Sequence, residues 1–241
     1  SFTNNAGILS GTATSGVARS NIVYSTDAIG AIGQVRALTF GADGDSVVSF
    51  VNEGEGAVDI EVSSGTFKSG TIDLTGSSGA DTDAITFGES TKLVKSEIAL
   101  GENSELNFET NKVQALTITS TGDGSVELSV TKGTFKKSTI DLSEATSEDS
   151  ISFGGDTKVI KTQISLGTGK DTVTFDAGIK LKGETAIRVG DRRAKVVARH
   201  RRSIMAREIQ VHSFAEAILA KERLIHTGNL GALFVHSRCI K

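Results

Sequence analysis

The sequence predicts an all-β chain wound into a short parallel β-solenoid, with coils of roughly 22 residues grouped into a super-repeat of about 67. Three observations predict it. GAVDIEVSSGTFKSGTIDL at 56–74 returns as GSVELSVTKGTFKKSTIDL at 124–142, and TKLVKSEIALG at 91–101 returns as TKVIKTQISLG at 157–167. Apolar pairs at i, i+2, such as Ile72/Leu74, Ile98/Leu100, Ile140/Leu142 and Ile164/Leu166, recur between runs of Gly, Ser, Asn, Asp and Thr. The 241 residues contain no proline, as a ladder needing nearly every backbone N–H requires.

Each pair reads as a short strand with alternate side chains turned inward, and the intervening turn formers end it. Every second pair begins at Ile72, Ile98, Leu116, Ile140, Ile164 and Ile187. That spacing predicts two strands per coil and one stacked column of inward residues. A 150–190-residue rod then has about 7 to 9 coils. An antiparallel β-sandwich is the alternative, since its short strands share the spacing. A sandwich rarely repeats its sequence at strand level, so the solenoid is preferred.

Composition divides the chain. Residues 1–186 hold 12 Lys and 2 Arg against 25 acidic residues, net −11; residues 187–241 are net +8 and contain all four histidines. Three segments follow. Residues 1–27 are small and polar, an N-terminal cap or docking arm. Residues 28–190 are the solenoid. Residues 191–241 form a basic segment in which Ser213 and Glu216 have capping-box spacing before an amphipathic helix. This last segment reads as a cap on the open end, as an interaction tail, or as a frame-changed or engineered terminus. No apolar run is long enough to span a membrane, and no charged-then-apolar leader follows Ser1.

Candidate chemistry is sparse. Gly167, Gly169 and Asp171, within GTGKDTV, approach the G-x-G-x-D-x-U pattern of calcium-binding turns. Asp81/Asp83 with Ile85, and Asp149 with Ile151, are partial echoes. The full nonapeptide is nowhere repeated in tandem, so solvated acidic turns are the preferred explanation, with calcium the alternative cofactor. The tight acidic pairs Glu53/Glu55 and Asp81/Asp83 are candidates for glycoside cleavage, although alternating acids on a solvated face account for them. The histidines lack H-E-x-x-H spacing, and the single Cys239 excludes a disulfide framework. Arg192, Arg193, Arg199, Arg201 and Arg202 form a basic cluster without interleaved aromatics, suited to acidic protein surfaces rather than to nucleic acid.

These turns and degenerate repeats resemble the β-solenoids of RTX-like exoproteins and of phage and cell-surface fibre or spike proteins. The resemblance implies a non-enzymatic structural role in a virion, as a tail fibre, spike or capsid appendage. It also implies homo-oligomers, trimeric by analogy, alongside other structural proteins and in contact with host surface glycan. The alternatives are a secreted RTX-like adhesin or surface-layer protein, extracellular or on the cell surface, and a polysaccharide-degrading tailspike.

Overall fold

Short strands that alternate inward and outward side chains bury their apolar residues by stacking on copies of themselves. The structure is a computed structural model. It describes residues 58–75 and 82–198, apart from 184 and 191–193, with the Phe50 side chain and strand backbone at 2–4, 8–13, 21–26, 33–40, 47–52, 209–212 and 234–236. Among these residues the strands form two sheets of 11, with parallel pairing throughout. The all-β parallel solenoid is therefore the fold, and the sandwich is excluded.

One coil shows the plan. Ser104–Phe108 forms a first face, Lys112–Gln114 a second and Thr117–Ser120 a third. In the next coil Val126–Lys136 runs through the first two faces, bending where its register with Ser150–Ile160 shifts between Val130 and Lys132. The first two faces thus share one sheet, and the third face is the other. Three short faces per coil replace the expected two. The second face was hidden because it contributes one inward apolar residue per coil, such as Val113, Phe135 or Val159, and hence no i, i+2 pair.

On the third face Phe50, Ile72, Ile98, Ile118, Ile140, Ile164 and Ile187 stack in register, at steps of 22, 26, 20, 22, 24 and 23 residues. These are six turns, about 29 Å of rod at the usual strand spacing. Ile118 holds the place expected for Leu116. Leu116 is buried, but it is in line with Ser96 and Ser138 at the preceding corner. The adjoining column reads Leu74, Leu100, Ser120, Leu142, Leu166 and Val189. The polar Ser120 at a leucine position is what moved the apparent apolar pair back by two residues.

The other inward columns follow a size rule. Position by position the first and second faces carry Val62/Phe67, Phe87/Leu93, Phe108/Val113, Val130/Phe135, Phe153/Val159 and Phe175/Leu181, all buried. Each of these six coils holds one phenylalanine ring, and its partner position is aliphatic. The rings form a continuous series with centroids 5.2 to 6.5 Å apart. The cross-section admits one ring per layer at close packing.

The corner between the second and third faces has its own rule. Ser69, Lys95, Ala115, Lys137 and Lys161 have φ between 50° and 53°, and Gly183 has 69°. This left-handed conformation costs a non-glycine residue about 1–2 kcal/mol. The turn keeps the ladder unbroken in return: the Ser69, Lys95, Ala115, Lys137 and Lys161 N–H groups each donate to a carbonyl of the next coil.

Pairing continues beyond the composition boundary, with Lys195–Ala198 against Thr172–Phe175 and Ile209–His212 against Thr185–Val189. Strands Phe2–Asn4, Ile8–Ala13 and Asn21–Thr26 belong to the same two sheets. The helix expected after Ser213 lies outside the described residues. No helix among the described residues is long and apolar enough to cross a membrane.

The one-ring rule is testable by exchange. Val130→Phe overpacks its layer and costs about 1–3 kcal/mol, and Phe135→Val leaves a cavity costing a comparable amount. The double variant recreates the Phe108/Val113 arrangement and recovers most of the loss. Urea denaturation of both single variants and the double variant measures the coupling. Additive losses would show that layer volume is not the constraint.

Candidate functional site

Strand parity decides what the acidic turn residues do. Asp83, Asp149 and Asp171 each precede an inward apolar residue by two positions (Ile85, Ile151 and Val173), so they share its inward direction. They lie at one corner of the rod, in a column reading Val58, Asp83, Ser104, Val126, Asp149, Asp171 and Ala194, all buried. The Val58 N–H donates to Asp83 Oδ1 at 2.8 Å, the Val126 N–H to Asp149 Oδ1 at 2.9 Å and the Asp149 N–H to Asp171 Oδ1 at 3.0 Å. Where the next coil offers no aspartate, a backbone carbonyl accepts instead: Asp83 N–H bonds Asn103 O and Ser104 N–H bonds Ser125 O, both at 2.9 Å. The carboxylates therefore stand in for main-chain acceptors where the turn backbone swings away.

This placement gives the calcium-like motif another use. Gly167 and Gly169 are buried; a Cβ on them would lie 1.8 Å from Ala145 O and 1.7 Å from Ser147 O. Their role is close backbone approach between coils, and that of Asp171 is capping. Among the described residues no group of three or more His, Cys, Asp or Glu side chains is arranged to hold a metal ion. Glu53, Glu55 and Asp81 lie outside the described residues, as do Arg192, Arg193, Arg199, Arg201 and Arg202.

Asp149 is the unusual member of the corner. Burial pushes its carboxyl up from 3.8 to about 7, the Val126 N–H opposes this, and the neighbouring Asp171 adds repulsion. Asp149 Oδ2 has no hydrogen-bond partner among the described residues. Near neutral pH this carboxyl is thus partly protonated, where a lone carboxylate in water is ionised.

The outward positions of the second face contain a feature that spacing along the chain did not reveal. One column reads Thr66, Lys92, Lys112, Thr134, Lys158 and Lys180. Its neighbour reads Lys68, Val94, Gln114, Lys136, Ile160 and Lys182. The left-handed corner adds Lys95, Lys137 and Lys161. Ten of the 12 lysines of residues 1–186 share this face, and these three columns contain no acid. The first face is the opposite in character, with Asp59, Glu61, Glu105 and Glu127 in its outward columns. The two remaining lysines are ion-paired: Lys132 bonds Glu89, and Lys170 bonds Glu148 at 3.1 Å. Lys68 aside, the lysines of the second face make no ion pair among the described residues.

The buried proton has a thermodynamic signature. The folded-state pKa of Asp149 lies above its unfolded value of 3.8, so its contribution is complete below about pH 4 and is lost as pH rises through about 7. Melting temperatures of the parent and Asp149→Asn, taken from about pH 4 to about pH 8, should converge or cross as the parent alone loses this term. Asparagine keeps the acceptor for Val126. Parallel curves for the two proteins would refute a proton retained on Asp149.

Comparison with protein-family models, with curated proteins and with solved structures returned no match.

Proposed function

We propose that the chain is a non-enzymatic structural rod of a virion, working as a tail fibre, spike or capsid appendage and assembling as a homo-oligomer. The observation that supports this most directly is the use made of its buried polar groups. In a catalytic cleft, paired carboxylates face a substrate; here Asp83, Asp149 and Asp171 close the backbone ladder inside the rod. The remaining regularity, one ring per layer and a repeated corner, serves stiffness and length. A trimer is the assembly that fibre-like proteins of this kind suggest, with the arginine cluster at 192–202 meeting acidic turns of a neighbouring subunit.

The test has two arms. Mass spectrometry of purified particles should find the chain at stoichiometric amounts. Incubation of the full-length protein with host surface glycan should leave the reducing-end count unchanged. Steady release of reducing ends would replace this reading with that of a glycan-cleaving spike. Recovery of the chain only from a type I exporter's secreted fraction would replace it with that of an adhesin.

A further inference from the structure

We infer that the lysine-bearing second face is a binding surface for a linear anionic polysaccharide. The first argument is charge. The face carries ten lysines and no acid in its three columns, on a 186-residue stretch whose net charge is −11. Among the described residues its lysines, Lys68 aside, make no ion pair, while Lys132 and Lys170 elsewhere do. A cationic strip left open on an acidic body attracts a polyanion.

The second argument is geometry. Parallel register places the lysines in straight columns along the rod axis, at rungs about 4.8 Å apart, with the two strand columns about 7 Å apart and the corner column about 3.8 Å beyond the second. Successive charges of an extended polymer laid along the axis meet successive rungs. The surface is flat, so avidity comes from repetition and not from a pocket. Flexible lysine stems, with Val94 and Ile160 half-buried between them, suit point charges such as carboxylate or sulfate.

Two other polyanionic partners fit less well. Single-stranded nucleic acid binds by stacking bases on outward aromatic rings, yet every described phenylalanine from Phe50 to Phe175 is buried. A second copy would have to present its acidic first face. The acids there give way to Ser150/Ser152 and Thr172/Thr174 in the last coils, where the basic face still carries two lysines per coil, Lys158 and Lys161, then Lys180 and Lys182. The two faces do not match rung for rung. This inference is independent of the assembly to which the rod belongs.

The test uses the full-length chain and a polyuronate of defined length, with neutral dextran and duplex DNA as comparators. Calorimetry at low ionic strength should detect polyuronate binding that weakens steeply with salt. Lys112→Gln/Lys158→Gln/Lys180→Gln should bind about tenfold more weakly, at a few tenths to one kcal/mol per exposed charge converted to affinity. The control Lys132→Gln/Lys170→Gln should bind as the parent does. The single Lys180→Glu variant, at an exposed position, repeats the measurement if the triple variant melts early. Equal loss in the control, equal binding of dextran, tighter binding of DNA, or lysine-dependent self-association without polyuronate binding would each overturn the inference. So would retention of parental affinity in the lysine variants while Arg192→Gln/Arg193→Gln/Arg199→Gln/Arg201→Gln/Arg202→Gln abolishes binding.

Discussion

A parallel strand cannot satisfy its own N–H and C=O groups, and among the described residues the adjoining coil supplies the partners. That requirement organises the rest. It explains why the corner residues from Ser69 to Lys161 accept a left-handed backbone, since only then does the corner N–H still meet a carbonyl of the next coil. It explains Gly167 and Gly169, where the turn backbone approaches the coil below too closely for a side chain. It also explains the three aspartates, which supply an acceptor at the corner where the main chain does not. Side-chain packing is then built on a frame already set by hydrogen bonding.

Parity within the strands separates two kinds of charge. An acid two positions before an inward apolar residue must point inward, and it is tolerated there only because an N–H meets it. A lysine one position away from such a residue must point outward, and parallel register stacks it on the lysines of adjoining coils. The same local rule thus yields a buried, proton-holding corner and a cationic face on one rod. Coulomb interactions oppose stacking like charges in water only modestly, and the lysine stems can splay, so the backbone ladder dominates.

Fold class was legible in the sequence because the 67-residue repeat and the i, i+2 pairs both report the ladder directly. The second face was not, because a strand of three residues such as Lys112–Gln114 has one inward side chain and leaves no periodic trace. The direction of Asp171 was legible in principle: its spacing to Val173 is that of Asp83 to Ile85 and Asp149 to Ile151. The resemblance to a calcium turn drew attention to the glycines instead. The lysine columns were invisible for a different reason. Lys92, Lys112, Lys158 and Lys180 are scattered along the chain at unequal distances, and only the register, with its coils of 20 to 26 residues, brings them into line.

The one-ring layers have a consequence for how such a rod changes length. Insertions of a few residues are absorbed in turns, as the unequal steps between stacked isoleucines show. A gain or loss of a strand-sized piece would set ring against ring and acceptor against acceptor. Length therefore changes in whole coils, and the duplicated segments at 56–74 and 124–142 mark a unit of three. Each such duplication lengthens the rod by about 14 Å and extends the cationic strip with it. The rod behaves as a ruler graduated in coils, on which reach and the number of charges presented grow together.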